Sequence, residues 1–257
     1  MPQPSRPDGR EQDAAAVTPV TARAHAFVAD LASPELSPGD HHHLARVLRL
    51  APGSLLTVGD GGGRWRPGRL TDGTAVEITG EIRADPAPRP PITVAFALVK
   101  ADRPELTVQK LTEVGVDRIA PFVAERSVVR WDADKVERQA ERFAEIARHA
   151  AMQCRRTWLP RVDRVTTFDE IVALPGATLA DSDGDPPSLA RPVVFVGPEG
   201  GWSPREREVD VARTRIGENV LRAETASIAV GVLMVSLRSE LVAPTGSVSA
   251  EGGQIPH

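Results

Sequence analysis

The sequence has only one cysteine, Cys154, among 257 residues, which excludes an intramolecular disulfide framework and a zinc site built from several cysteines. A lone thiol is typical of the reducing cytoplasm, where we expect this chain to work. The chain also lacks an apolar signal core and any uncharged apolar run of membrane-spanning length. The apolar stretch 226–237 is short and predicts a buried helix, so we expect no membrane attachment.

An excess of positive charge is also absent, since 31 Lys and Arg residues face 35 Asp and Glu residues and the net charge is −4. The chain as a whole therefore does not attract nucleic acid, and any RNA contact must come from local basic patches. Hydrophobic residues make up 41% of the chain, which is enough for a sizeable core.

Composition and pattern divide the chain into five segments. Short alternating strands and glycine-rich turns predict a small β-barrel first, and a proline-rich linker then leads into alternating strands and helices, which indicate a largely parallel α/β sheet. The predicted segments are a disordered start at 1–16, the barrel at 17–84, the linker at 85–91, the α/β domain at 92–243 and a disordered tail at 244–257.

One helix interrupts the barrel pattern. Asp40 is the predicted N-cap of a helix over 41–50. Helical spacing places cations on one face, namely His42, Arg46 and Arg49, and apolar residues on the other, namely Leu44, Val47 and Leu48. We expect the apolar face to pack and the basic face to remain free. The histidines at 41–43 point in different directions on a helix, so we expect no metal there.

The α/β region predicts a regular succession of elements. A helix over 104–114 ends at Gly115, and a long helix carries an apolar stripe from Val136 to Cys154. A final helix is predicted over 225–241. The predicted strands are 92–99, 118–123, 178–180 and 192–196, after the barrel strands 55–58 and 75–79.

A glycine-rich turn follows the strand at 193–196. Gly197, Pro198, Glu199, Gly200 and Gly201 lead to a helix start in which Ser203 is the N-cap and Glu206 completes a capping box. The spacing matches neither a Walker loop nor a dinucleotide-binding loop. Glycines let a backbone approach a ligand closely, and loops after parallel strands bind ligands, but a tight structural turn explains the pattern equally well.

Three other segments are ambiguous when each is taken alone. The stretches 98–116 and 216–226 each place charged residues at a helix start, which is also what an ordinary capped helix shows. A basic cluster surrounds Trp158 and combines cations with an aromatic ring, as RNA-binding surfaces do, although a solvated surface has the same composition. Its cations are Arg155, Arg156, Arg161 and Arg164.

Taken in order, four motifs resemble one family, the 16S ribosomal RNA uracil-1498 (RNA numbering) N3-methyltransferases of the SPOUT class. The motifs are His42–Arg49, Gln109–Val116, Val196–Gly201 and Leu221–Ala226, and the resemblance spans about residues 20–241. It implies a PUA-like β-barrel followed by an α/β domain with a deep trefoil knot. It also implies S-adenosyl-L-methionine as cofactor, 16S ribosomal RNA within the small subunit as partner, and a homodimer.

The resemblance also implies the roles of individual residues. Met152 stands where the family usually has an acidic residue, and Pro104 replaces a common apolar one. The expected cofactor-binding residues are Leu179, Val196, Gly197, Pro198, Gly200, Gly201, Ile216, Leu221, Thr225 and Ala226. The expected RNA-binding residues are His42, Arg46, Arg49, Arg103, Arg155 and Arg156.

The expected reaction moves a methyl group from a sulfonium to uracil N3, which must lose its proton. Arg222 is the expected catalytic cation, since a guanidinium can stabilise the developing uracil anion, and Glu199 is the expected base or orienting group. Two alternatives stay open. One is a sister enzyme that methylates another RNA or a ribose oxygen, and the other is a non-catalytic RNA-binding assembly factor.

Overall fold

The computed structural model of the chain describes residues 17–98, 103–127, 129 and 131–243. The tails for which the sequence predicts disorder lie outside these residues. The described chain forms two compact units. The N-terminal unit contains residues 17–87 and 148–159, and the C-terminal unit contains residues 88–147 and 160–243.

The N-terminal unit is built on a five-stranded sheet in the order β1-β2-β3-β4, with the short β5 paired to β3. β1 runs parallel to β2, whereas the other pairs are antiparallel. The predicted strands at 55–58 and 75–79 are confirmed, as is the turn between β2 and β3. The strands are β1 (His25–Phe27), β2 (Leu55–Gly59), β3 (Arg64–Leu70), β4 (Val76–Ile78) and β5 (Arg83–Ala84).

The helix of this unit differs from its prediction. An α-helix, α1 (Pro38–His42), continues as a π-helix over His43–Val47. The predicted N-cap at Asp40 is wrong, because the Ser37 hydroxyl caps the helix by accepting the Asp40 N–H. The prediction that the apolar face packs is also wrong in part, since the side chains of Val47 and Leu48 are 60% and 47% exposed. A π-helix bonds each N–H five residues back, so the 3.6-residue period fails there.

Asp40 has a different task from the one predicted. Its carboxylate is buried and accepts hydrogen bonds from Arg148 at 2.6 and 3.0 Å and from the Ser37 hydroxyl at 2.7 Å. Burial alone raises the pKa of Asp40, but the hydrogen bonds from Arg148 and Ser37 outweigh it and lower the pKa. The guanidinium of Arg148 also donates to the Phe27 carbonyl, so it links the helix that carries Asp40 to β1.

The C-terminal unit confirms the predicted parallel sheet. Its strands follow the order β12-β10-β11-β6-β7-β8, with β9 also on β7, and every pair is parallel. The strands are β6 (Thr93–Ala97), β7 (Arg118–Val123), β8 (Arg161–Val162), β9 (Thr166–Thr167), β10 (Ala177–Asp185), β11 (Val193–Val196) and β12 (Ala212–Thr214). The helices are α2 (Arg103–Val114), α3 (Ala133–Cys154), α4 (Phe168–Val172), α5 (Pro204–Arg207) and α6 (Ala223–Arg238).

Alternate residues of each strand face opposite sides of this sheet, and each side buries its own core. Val94 and Phe96 face a core that also contains side chains of α2, α3 and α6. Ala95 and Ala97 face a second core, which contains side chains of α4 and the indole of Trp202. No described helix is long and apolar enough to cross a membrane. The trefoil knot stays a prediction.

One buried histidine makes the N-terminal unit sensitive to pH. His25 is 1% exposed, and its Nδ1 forms a 2.9 Å hydrogen bond with the Thr57 hydroxyl. Burial lowers the pKa of His25 from 6.5 to about 4, and Asp85 opposes this only in part. The folded unit therefore holds a neutral imidazole across a range in which the unfolded chain binds a proton.

We expect the free energy of unfolding to fall as the pH drops from about 6.5 towards about 4, because only the unfolded state gains the proton. The expected loss between pH 7 and pH 5 is about 2 kcal/mol. Urea unfolding at both values, with an NMR titration of the His25 ring, measures it. The double variant His25→Leu with Thr57→Val, which removes both polar partners, should lose this dependence. A His25 pKa near 6.5 in the folded protein would contradict the account.

Candidate functional site

The carboxyl ends of β11 and β12 lie on either side of β10 in the C-terminal unit, close to the level of Ala180. Leu179 pairs with Phe195 of β11 and with Arg213 of β12, and all three strands run in the same direction. Open parallel sheets bind ligands beyond the carboxyl ends of their strands. The glycine-rich turn after β11 and the loop after β12, residues 215–222, both leave the sheet at this edge.

Trp202 determines the shape of the glycine-rich turn. Its indole is 5% exposed and packs among Phe122, Phe168 and Phe195, with ring centroids 5.7–6.3 Å away. A Cβ on Gly197 would lie only 2.8 Å from the indole Cε2. The indole N–H also donates to the Ala180 carbonyl at 3.0 Å, which joins the segment after β11 to the middle of β10. Gly197 is therefore required by packing inside the protein.

The other two glycines of the turn have different reasons. Gly201 has a φ of +68°, a left-handed conformation that side chains other than glycine rarely adopt. Gly200 is exposed, and a Cβ there would meet Arg126 at an ordinary 3.6 Å. Arg126 in turn donates to the Gly200 carbonyl at 3.1 Å. The backbone of the turn is thus held on one side by Trp202 and on the other by Arg126.

A buried carboxylate fixes the start of α5. Ser203 and Glu206 form the predicted capping box, which is confirmed: the Ser203 hydroxyl accepts the Glu206 N–H, and the Glu206 carboxylate accepts the Ser203 N–H at 2.9 Å. The second oxygen of Glu206 accepts the backbone N–H of Glu125 at 2.8 Å. Glu206 is fully buried and so joins the loop after β7 to the helix after the glycine-rich turn.

Arg222 lies at the N-terminus of the 16-residue helix α6, where it is the N-cap without a capping side-chain bond. Its side chain is exposed and forms no hydrogen bond or ion pair with the described part of the chain. The exposed N–H groups and dipole of a helix start are positive, and the guanidinium adds a full charge. The expected catalytic cation is therefore placed where it can meet an anion.

The structure brings some of the expected cofactor residues together. Val196, Ile216 and Ala226 belong to the core on the α2 and α6 side of the sheet, while Leu179 packs on the other side. Pro198 is buried, Gly200, Gly201 and Leu221 are exposed or partly exposed in the two loops, and Thr225 is exposed in the first turn of α6. Glu199 is also exposed in the glycine-rich turn. The apolar residues and the open glycine backbone suit a flat, largely apolar ligand.

Asp181 is a residue of this edge that the sequence analysis missed. Its side chain is only 6% exposed, and the guanidiniums of Arg207 and Arg213 each lie 3.9 Å from its Oδ2. Oδ1 accepts the Ser182 N–H at 2.8 Å, while Oδ2 is buried and has no hydrogen-bond partner among the described residues. The sequence does not indicate this residue, because a buried Asp is unusual and the acidic run around it has the composition of a solvated loop.

A surface cavity of about 240 Å³ lies elsewhere in the same unit, between the loop after β7 and α4. Its described lining includes Glu125, Asp169 and Arg205, and none of the expected cofactor residues. Arg205 donates to both oxygens of Asp169 at 2.8 Å and to Glu125 at 3.3 Å. The Ser203 hydroxyl and Arg205 lower the pKa of Glu125. These charges satisfy one another, so the cavity has no free binding group of its own.

The expected RNA-binding residues have different surroundings. His42 and Arg46 are exposed on the helix of the N-terminal unit. Arg49 is also exposed, but it follows the end of the helix with a left-handed φ of +54°, so the predicted extension of the helix to residue 50 is wrong. Arg155 instead donates to the carbonyls of Val20 and Arg23. Arg156 is half-buried, and the Arg103 side chain lies outside the described residues.

The remainder of the basic cluster is divided between the two units. Trp158 belongs to the N-terminal unit, where its indole N–H donates to the Asp85 carbonyl at 3.1 Å. Arg161 and Arg164 belong to the C-terminal unit and pair with Asp163 and Glu137. Both side chains are still highly exposed, 73% for Arg161 and 71% for Arg164, and such surface ion pairs are weak.

Met152 is packed in the core of the N-terminal unit, 9% exposed, beside Ala151. An apolar side chain suits this core better than the acidic residue expected there. Within the described ranges, no group of three or more His, Cys, Asp or Glu side chains is arranged to hold a metal ion.

Comparisons with known proteins agree with the two units. A profile of the RNA methyltransferase domain matches residues 86–235, and a profile of the RNA methyltransferase PUA domain matches residues 37–82. The ribosomal RNA small subunit methyltransferase E of Mycobacterium tuberculosis is 33% identical over 220 residues, which are 74% of this chain and 83% of that protein. The protein of the same name from Synechocystis is 33% identical over 215 residues, 74% of this chain and 69% of that protein.

A similar architecture is found among solved structures. A Legionella pneumophila protein, assigned as a methyltransferase and solved in complex with the bound cofactor SAM, superimposes with a TM-score of 0.68. It is 25% identical, and the match covers 84% of this chain and 97% of that one.

The contact between Trp202 and Gly197 makes a direct prediction about stability. Gly197→Ala should displace the indole and break its bond to Ala180, which should cost about 1–3 kcal/mol in the free energy of unfolding. Urea unfolding and the near-UV circular dichroism of the indole measure both effects. Gly217→Ala is the matched control, because nothing lies within 4 Å of a Cβ at that position. Equal stability of the two variants would rule out this role of Gly197.

Proposed function

Because this chain belongs to the RNA methyltransferase family, together with relatives named ribosomal RNA small subunit methyltransferase E, we propose that it methylates N3 of a uracil in small-subunit ribosomal RNA. The methyl donor in the proposal is S-adenosylmethionine. The observation that carries the proposal is the combination, in one chain, of a PUA domain match and an RNA methyltransferase domain match. The choice of uracil N3 rests on the resemblance of the four motifs.

The carboxyl edge of the sheet fits this cofactor chemically. S-adenosylmethionine, when bound, supplies an electrophilic methyl group on a sulfonium. In this proposal the exposed backbone of the glycine-rich turn binds an adenine edge, and the partly buried Ile216 packs on its face, with Val196 behind it in the core. We assign binding to the ten residues expected from the sequence, with Leu179 behind the edge, in the core on the other side of the sheet.

Arg222 has the surroundings of a catalytic cation. Uracil N3 carries a proton, so an N3 nucleophile develops negative charge on the base as the proton leaves. A guanidinium keeps its own proton and can stabilise that charge with a planar pair of donors. Arg222 adds to this the positive end of α6, and it is not engaged by the described residues. We therefore assign to it the stabilisation of the uracil anion.

Glu199 is the carboxylate of the glycine-rich turn, and it is exposed. We assign to it the acceptance of the N3 proton or the orientation of the base. The target uracil has to leave its stack to reach an enzyme site, so the substrate is an unstacked nucleotide. Holding it against the methyl donor in line supplies much of the catalysis, since alignment alone lowers a barrier by about 7–11 kcal/mol in favourable cases.

The N-terminal unit supplies the RNA contacts in this proposal. His42 and Arg46 are exposed on one short helical segment and Arg49 just after it, and the Arg148–Asp40 ion pair anchors that segment to the sheet. The net charge of the chain is negative, so such a local patch is needed to hold a phosphate backbone. We also propose that the protein acts on RNA within the small ribosomal subunit and that it works as a homodimer.

Methyl transfer in vitro tests the function. Purified protein, S-adenosylmethionine with an isotopically labelled methyl group, and either free small-subunit RNA or assembled small subunits are incubated, and the RNA is digested to nucleosides. Labelled 3-methyluridine is the expected product. Label in another nucleoside or on a ribose oxygen would indicate the sister enzyme, and bound cofactor and RNA without transfer would indicate an assembly factor.

Arg222 should matter to the chemical step more than to cofactor binding. Arg222→Ala should reduce the single-turnover rate about a hundred- to a thousand-fold, because one preorganised donor to the developing charge is lost. Arg222→Lys should recover only part of the rate, since an ammonium lacks the planar pair of donors. Quenched-flow methylation with saturating RNA measures the rate, and calorimetry measures cofactor affinity, which should stay near normal.

Arg215→Ala is the matched control, because Arg215 is an exposed arginine in the same loop and its backbone N–H alone is bonded, to Asp185. A wild-type rate in Arg222→Ala would eliminate Arg222 as a catalytic residue. Loss of cofactor binding would instead make it a pocket residue.

The basic helix should serve RNA binding and not folding. Arg46→Ala combined with Arg49→Ala should weaken RNA binding and flatten its dependence on salt, because each lost phosphate contact removes a released counterion. Fluorescence anisotropy over a salt series measures this. Arg64→Ala combined with Arg69→Ala removes the same charge from the same unit, where these arginines pair with Asp60 and the Gly53 carbonyl. An equal loss in both double variants would show that only total charge matters.

A further inference from the structure

The unpartnered oxygen of Asp181 is the feature of the C-terminal unit that the proposed function does not use. A buried carboxylate oxygen without a hydrogen bond costs free energy, and such groups in native proteins are normally satisfied by a ligand or water. Among the described residues Oδ2 is approached only by Arg207 and Arg213, and the 3.9 Å separations are too long for hydrogen bonds. The buried oxygen therefore lacks a hydrogen-bond donor among the described residues.

The sheet register places Asp181 at the candidate cofactor site. Leu179 pairs with Phe195, so two residues further along β10 Asp181 is level with Gly197, the first residue of the glycine-rich turn. The residue between, Ala180, accepts the indole N–H of Trp202 and pairs with Thr214 at the end of β12. Asp181 thus lies level with the points at which the glycine-rich turn and the loop 215–222 leave the sheet, on the same face of β10 as Leu179.

The charges around Asp181 indicate which kind of donor it takes. One carboxylate and two guanidiniums have a net charge of +1, so a cationic group such as an ammonium or a sulfonium is not favoured beside them. A neutral hydroxyl is a donor that gains from the carboxylate without this repulsion. Carboxylates at the ends of parallel strands bind ribose hydroxyls in other nucleotide-binding sheets, where the geometry of the sheet edge is similar.

We propose that Asp181 accepts a hydrogen bond from a ribose hydroxyl of the adenosyl group bound at this edge. This inference rests on the proposed use of an adenosyl cofactor. It adds a binding residue on β10 to the two loops and leaves the chemical step to other groups. The residue positions the nucleoside and does not contact the methyl group.

Binding of S-adenosylhomocysteine and of its 2′-deoxy and 3′-deoxy analogues, measured by calorimetry, tests the proposal. One deoxy analogue should bind the wild-type protein about tenfold or more weakly, as expected for the loss of a hydrogen bond to a charged group. Asp181→Asn should lose a similar factor for S-adenosylhomocysteine. The variant and the wild type should bind that deoxy analogue nearly equally, because the partner hydroxyl is then absent.

Asp183→Asn is the control, since Asp183 is an exposed carboxylate two residues further on. This variant should bind S-adenosylhomocysteine as tightly as the wild type does. Equal affinity of both deoxy analogues and the parent for the wild-type protein would overturn the proposal, and this arm needs no variant to fold. An equal loss by Asp181→Asn for parent and analogues would overturn it too, because Asp181 would then act only on the fold. Failure of the wild type to bind S-adenosylhomocysteine at all would refute the proposed function itself.

Discussion

The packing of the Trp202 indole on the backbone of Gly197 is the contact on which the candidate site depends. A side chain at Gly197 would collide with the indole, whose N–H is bonded to the Ala180 carbonyl of β10. One buried aromatic ring therefore fixes how the chain leaves β11 beside β10. Aromatic packing against three phenylalanine rings keeps the indole in place, so the open turn is supported by a rigid core.

Three charged residues of the site differ in how deeply their side chains are buried. Glu206 is fully buried, and both of its oxygens accept hydrogen bonds from backbone N–H groups. It therefore fixes the shape of the loops and does not face a ligand. Asp181 is nearly as buried and keeps one oxygen unbonded among the described residues. Arg222 is fully outside the core at the positive end of α6. In the roles proposed above, Glu206 supports the fold, Asp181 binds the nucleoside and Arg222 acts on the base.

Much of this arrangement could be predicted from the sequence, because strand and helix periods, the capping box and the order of four motifs are local features. The family indicated by those motifs is confirmed, as is the parallel sheet. The π-helix at His43–Val47 could not be predicted, because a period of 3.6 residues was assumed and two exposed side chains, Val47 and Leu48, were expected to pack. Asp181 was missed because its burial depends on β12 and α5, which are distant in sequence.

The central claim is that this chain modifies one uracil of small-subunit ribosomal RNA, and the most direct measurement is made on cells that normally produce it. Small-subunit RNA from cells without the protein is digested and its nucleosides are quantified by mass spectrometry, with nuclease mapping of the modified position. The account predicts that 3-methyluridine disappears from one position and returns when the wild-type chain is restored. An unchanged level of 3-methyluridine in cells without the protein would contradict the account.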